Sequence, residues 1–291
     1  MSSETTPTPA PGGRKKWADE PFKLLSTPRA GLDVRLIQRF NSKDLAASSI
    51  LTQLKGKPES GALKNATEMA LIHNVLLRGL NSIYNQATAL TSQSSLGKDI
   101  SDFLTYCTCW SLTLRSHHGT EETVYFPLLE SMLTPSNKGV AARNHSEHER
   151  FLSGLGKFDL FVQGVQRGER AYDGIVLREL VDRFAGELVA HLKSEVEVLV
   201  GLEGDGGIDW DLLGKTMAGE SKRIADRTQE VPFLIVNADV TYEGGIHGAR
   251  FPPFPWFVGQ IFRWWYIPQL KGAWRFASCD DYGMPKELPF A

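Results

Sequence analysis

Cysteine is scarce in this chain: Cys107, Cys109 and Cys279 are the only three in 291 residues. Three thiols cannot build a disulfide framework, and no two of them have the Cys-x-x-Cys spacing of a zinc or thiol-redox motif. A reducing interior is the expected compartment, and a cytoplasmic location follows from that. An excess of one charge is also missing. Lys and Arg total 32 against 34 Asp and Glu, a net charge of −2, and the basic residues are scattered. Neither a nucleic acid nor an anionic membrane is therefore expected as a partner. No apolar run reaches the roughly 20 residues of a membrane-crossing helix; the best candidate, 256–267, is short and carries Arg263. The opening MSSETTPTPAPGG has no apolar core and does not read as a secretory signal.

Four long helical patterns occupy the middle of the chain. Residues 1–16 are Ser/Thr/Pro/Gly-rich and are expected to be a disordered tail. Residues 17–60 read as an N-terminal extension packed on the bundle, with Trp17, Phe22, Leu24 and Leu25 in an extended segment and a short helix over 33–55. Residues 61–207 hold the four helices. Residues 208–291 read as a C-terminal extension, with one further helix near 209–228 and then a Pro-, Gly- and aromatic-rich stretch. That stretch has few strand signals and is expected to wrap the bundle, burying its tryptophans there.

The second helical pattern carries a regular apolar stripe: Ile100, Phe103, Cys107, Trp110, Leu114, His117, Glu121, Val124, Leu128. Its steps alternate three and four residues, as in the seam of a helix packed in a bundle. The fourth carries Val181, Phe184, Leu188, His191, Glu195, Val198 and Leu202 on the same spacing. In the first pattern His73 shares a face with Leu76, Leu77, Leu80 and Tyr84. In the third, His148 aligns with Leu152, Leu155 and Val162.

Two His-x-x-x-Glu pairs thus stand where core leucines should stand. A histidine and a glutamate four apart lie one turn apart on one helical face. A buried ionised carboxylate is costly unless it is paired or bound to a metal. Inward-facing carboxylates and histidines on four helices are a known way to build a dinuclear metal site inside a bundle. The neighbouring pair His118/Glu122 shares its face with Ser111 and Arg115, so His118 is expected to face solvent or to act only behind the ligands. Glu197 is read as solvated, Glu187 as an outside candidate, and His247 as a surface residue in a Gly-rich loop. Tyr84, Tyr106, Tyr125 and Trp110 are read mainly as core aromatics, with a place near the metals left open.

The arrangement resembles the hemerythrin-like, HHE cation-binding family. His117-x-x-x-Glu121-Glu122 with Phe126-Pro127 is similar to that family's most recognisable motif. His148-Glu149-Arg150-Phe151-Leu152 resembles its third-helix histidine, His73 its lone first-helix histidine, and His191-x-x-x-Glu195 its fourth-helix element. The similarity covers residues 65–202. It implies an all-α, up-down four-helix bundle holding two non-haem iron ions, with His73, His117, Glu121, His148, His191 and Glu195 as ligands and the carboxylates bridging. The family's oxygen carriers have one more third-helix histidine, where this chain has Asn144; Glu122 and His145 are the candidates to substitute. Zinc or manganese would suit the same donor types. Three functions are implied: binding of iron or dioxygen for sensing, buffering or storage; a di-iron oxidoreductase acting on oxygen, peroxide or a small substrate; and a metal-stabilised protein-interaction module.

Overall fold

The computed structural model describes residues 17–30, 59–90, 97–247, 251 and 255–291. The expected tail 1–16 and the expected helix over 33–55 lie outside them. The main helices are α1 (Gly61–Gln86), α2 (Gly97–Thr120), α3 (Phe126–Met132), α4 (Val140–Gln166) and α5 (Gly174–Gly201). A single π turn, Glu121–Tyr125, joins α2 to α3, so the two form one interrupted helix. No β-strand is found among the described residues, which hold one isolated bridge between Cys279 and Pro285.

Local chemistry starts the helices where the pattern changes. Ser60 caps α1, its hydroxyl accepting from the Leu63 N–H at 3.3 Å. Asp173 caps α5 by accepting from Ile175 and Val176, at 2.9 and 3.2 Å. The first residue of α5 is Gly174, because the end of α1 crosses there: a Cβ would lie 2.0 Å from the Ala87 carbonyl oxygen. Sequence neighbours are spatial neighbours. α1 packs on α2, α2 on α4, α4 on α5, and α5 closes back on α1, which makes an all-α four-helix bundle.

α1 is buried around most of its circumference, because both chain extensions lie against it. Asn81 donates to the carbonyls of Ala18 and Phe22 at 2.9 and 2.8 Å and accepts from the Phe22 N–H at 2.8 Å. Asn74 exchanges two bonds with the Leu25 backbone, at 2.7 and 2.9 Å. Between them Arg78 is held by Asp19 at 3.1 Å and Asp239 at 2.9 Å, so this buried charge is paired. After α6 (Trp210–Ile224) and α7 (Glu230–Ile235) the chain runs back over α2. There Phe276 packs on Phe103, with ring centroids 5.1 Å apart. His247, expected on the surface, is buried: its Nε2 lies 2.8 Å from Glu243 and 3.1 Å from the Thr27 hydroxyl. The loop is covered by the N-terminal segment, which a local reading of Gly residues does not reveal.

Two stripes differ from expectation. In α4 the inward residue after His148 is Phe151, whereas Leu152 is exposed. Beyond Glu121 the buried residues are Tyr125, Phe126 and Leu129, not Val124 and Leu128. The π turn accounts for the second difference. It adds one residue to a turn, closed by the bond from the Phe126 N–H to the Glu121 carbonyl, so every later side chain moves one position round the helix. Thr120 precedes the π turn and Thr123 lies within it, each bonding its hydroxyl to the carbonyl four residues back, at 2.8 and 2.7 Å. Such back-bonding competes with the helical ladder and bends it.

Candidate metal centre

The bundle brings together His73 from α1, His117 and His118 from α2, Glu121 from the π turn, His148 from α4, and His191 and Glu195 from α5. Nearly all of these side chains are buried. Two groups form. Ligand atoms of His118, Glu121, His148 and His191 lie within 4.8 Å of one another, and so do those of His73, His117, Glu121 and Glu195. Glu121 belongs to both. Its Oε1 lies 2.9 Å from His117 Nε2, and its Oε2 3.9 Å from His148 Nε2. Glu195 Oε2 lies 3.1 Å from His73 Nε2 and 3.8 Å from His191 Nε2.

The outer nitrogens fix what the inner ones present. His73 Nδ1 faces the Leu192 carbonyl at 2.9 Å. His148 Nδ1 faces Glu122 at 2.7 Å, and His191 Nδ1 faces Glu147 at 3.2 Å. Each of these acceptors calls for a proton on Nδ1, which leaves the Nε2 lone pair pointing inward. Yet His148 Nε2 and His191 Nε2 stand 3.0 Å apart. Two lone pairs cannot hydrogen-bond each other. Burial also keeps the imidazoles neutral: it lowers His117 and His191 to about 4, pulls His118 well below the usual histidine range and lowers His148. Both oxygens of Glu121, Oε2 of Glu195, Nε2 of His118 and the Tyr125 hydroxyl are buried without a hydrogen-bond partner. Burial, with Glu195 close by, pushes the Glu121 carboxyl well up.

Converging lone pairs, neutral imidazoles and unpaired carboxylate oxygens in a dry core are unfavourable by themselves, and a cation satisfies them all. The donor set is imidazole and carboxylate without sulfur, which fits iron, zinc or manganese.

His118 corrects the expectation that it faces away. Its ring centroid lies 4.4 Å from that of His148 and 5.1 Å from that of His191. The row expected to face solvent is the contact between α2 and α4. Ser111 and Arg115 both reach Asp159, at 2.6 and 2.9 Å; His118 follows, then Glu122 on His145 and His148. A helix in a bundle touches neighbours on its flanks as well as on its central seam. The available signal was the row Ser111, Arg115, His118, Glu122 itself, spaced four, three and four. Glu122 faces the outer nitrogen of His148 and not the inner cluster, and His145 is largely exposed beside it. Asn144, at the position where the family's carriers have histidine, donates to Glu195 Oε1 at 3.0 Å. Glu197 is exposed.

Fold and site together define a helical bundle with a buried histidine–carboxylate centre able to hold cations. The family model of the hemerythrin HHE cation binding domain matches residues 66–202, a span that contains every residue of the two clusters. The protein named dimeric xanthone biosynthesis cluster protein R11, from Cryptosporiopsis sp. (strain 8999), is similar at 30% identity over 225 residues, covering 77% of this chain and 82% of that one. The chain belongs to the hemerythrin HHE cation-binding family. No solved structure gives a significant match. Among the described residues, no helix is long and apolar enough to cross a membrane.

Proposed function

We propose that the bundle holds two non-haem iron ions and binds iron or dioxygen for sensing, buffering or storage. The observation that supports this reading most is the sharing of Glu121 between two ligand clusters. One cation would be held by His118, Glu121, His148 and His191, and the other by His73, His117, Glu121 and Glu195. When bound, such a pair supplies two redox-active centres and a position for a small ligand. The protein's part is to orient and to exclude. Glu122, Glu147 and the Leu192 carbonyl hold three imidazoles in one tautomer. Asn144 takes one oxygen of Glu195 and so orients that carboxylate. The Tyr125 hydroxyl, buried near both carboxylates, is the donor available to a ligand bound there.

The space beside the centre favours a small ligand. A cavity of about 10 Å³ lies against Glu195, lined also by Phe126, Asn144, Glu147 and Ser194. That is room for about one water molecule, and so for a diatomic gas rather than an organic substrate. The rival reading, an oxidoreductase, draws on the name of the relative, which ties that protein to a biosynthesis cluster.

Protein loaded with ferrous iron without air, analysed by mass spectrometry and then exposed to air, separates these. Two irons per chain and a reversible change in the visible spectrum are expected. Steady consumption of oxygen or peroxide would favour the oxidoreductase. Glu121→Ala should lose both metals. Full metal content in that variant would remove the basis for the dinuclear reading.

A further inference from the structure

The segment from Trp256 to Leu270 is one continuous helical stretch: α8 (Trp256–Ile261), a π turn (Phe262–Tyr266) and a 3-10 turn (Ile267–Leu270). One side is anchored, with Phe262 and Ile267 buried. The other side is an aromatic ridge. Trp256 is 81% exposed, Trp264 72%, Trp265 71% and Phe257 51%, with Ile261 beside them. Arg263 extends the ridge: its Nε donates to the Asp281 carbonyl at 2.7 Å, and its guanidinium lies 4.3 Å from the Tyr282 ring centroid. Tyr282 is itself 60% exposed, and Met284 is exposed next to it.

This side is the reverse of what the sequence suggests. Aromatic residues so close together are expected to be buried against the bundle, and Trp274 and Phe276 are. At about 150–250 Å² per aromatic side chain, the exposed fractions of the three tryptophans, Phe257 and Tyr282 come to roughly 700 Å². The largest apolar patch on an ordinary monomer is about 300–600 Å², while a stable pairwise interface needs about 800 Å² from each partner. The composition also matches the core of a protein interface, which is enriched in Trp, Tyr, Phe, Met and Arg.

We propose that this ridge is the interface of a homodimer, pairing with the same ridge of a second copy about a two-fold axis. Between Trp256 and Leu270 the ridge carries Arg263 as its one charged residue, so self-pairing brings few like charges together, as an isologous contact requires. A lipid surface fits less well. Interfacial helices that dock on membranes have a basic polar face, whereas here Asp280 and Asp281 adjoin Tyr282 and offset Arg263 and Lys271.

Sedimentation of the full chain should give twice the 32.3 kDa chain mass at tens of micromolar. Trp264→Ser with Trp265→Ser should give the monomer, with helical circular dichroism and metal content unchanged. On the unaltered protein, quenching of tryptophan fluorescence by acrylamide should weaken several-fold as concentration carries the chain from monomer to dimer. That second measurement needs no variant and stands if the double substitution fails to fold. A monomeric wild type, a double variant that stays dimeric, or quenching independent of concentration would each overturn the proposal. Binding of monomeric wild type to phosphatidylcholine vesicles would overturn it in favour of a lipid surface.

Discussion

The bundle interior has two halves that follow opposite rules. In one, Trp110 packs against Phe158 and Phe184, with centroids 5.4 and 6.1 Å apart, and the polar groups of Trp110 and Tyr106 are satisfied. The Trp110 indole donates to the Leu76 carbonyl at 3.0 Å, and the Tyr106 hydroxyl donates to Asn237 at 2.8 Å. In the other half the same helices bring imidazoles and carboxylates together and leave several of their atoms unpaired. The first half supplies folding free energy, at about 1.5–3 kcal/mol for each fully buried large apolar side chain. The second half costs free energy without a cation. One bundle can hold both only because the apolar half, and the extensions strapped to α1, fix the helices in register.

The sharpest test of this division lies in the apolar half. Phe184→Ala should lose about 3–5 kcal/mol, read from urea unfolding, and should lose it equally with and without metal. A loss that vanishes when metal is removed would mean that the two halves are not separable. In the polar half the order should invert. His118→Ala should weaken metal affinity at least ten- to a hundredfold by competition against a chelator, a range seen even for residues that only support ligands. His145→Ala, removing an exposed imidazole beside the half-buried Glu122, should change it less than twofold. Equal effects of the two would return His118 to the position expected from the sequence.

Gly79→Ala probes how tightly the apolar half is closed. A Cβ there would stand 2.5 Å from Phe233 and 2.8 Å from Trp110. Removing glycine from a helix gains up to about 1 kcal/mol, but overpacking costs about 1–3 kcal/mol, so the melting temperature should fall. The smallest effect belongs outside both halves. Asp205 accepts from the Thr134 N–H and hydroxyl, from Asn137 and from the Gly207 N–H, at 3.0, 2.8, 2.8 and 3.0 Å, which ties the loop before α4 to the exit of α5. Led by the Asn137 bond, these contacts hold its carboxyl below the ordinary range. A depressed carboxyl contributes stability above its unfolded pKa, about 3.9, and loses it as pH falls further. Asp205→Ala should therefore melt below wild type at pH 7, with the gap closing at pH below about 4.

Much of this was legible along the chain. Steps of three and four residues marked the α2 and α5 seams, and the placement of His117, Glu121, His191 and Glu195 at core positions follows from helical geometry alone. A period reports which residues share a face, so His73 and His148 could be read in the same way. The same period is blind to an inserted residue. It could not show the π turn after Thr120, and from there it put Val124 and Leu128 where Tyr125 and Leu129 stand. Nor can a period say which flank of a helix meets a neighbour. That is why His118 was read as outside although it packs against both His148 and His191, and why the tail was expected to bury its tryptophans although it presents three of them.

The sequence by itself thus determined the class of the fold, the chemistry of the donors and the helix that carries each one, because these depend on residue type and on a fixed 3.6-residue turn. Only the tertiary structure decided the sharing of Glu121 between two clusters, the inward place of His118 and the exposed aromatic ridge. Each of these depends on how one helix meets another, and packing of that kind is set by the whole molecule at once.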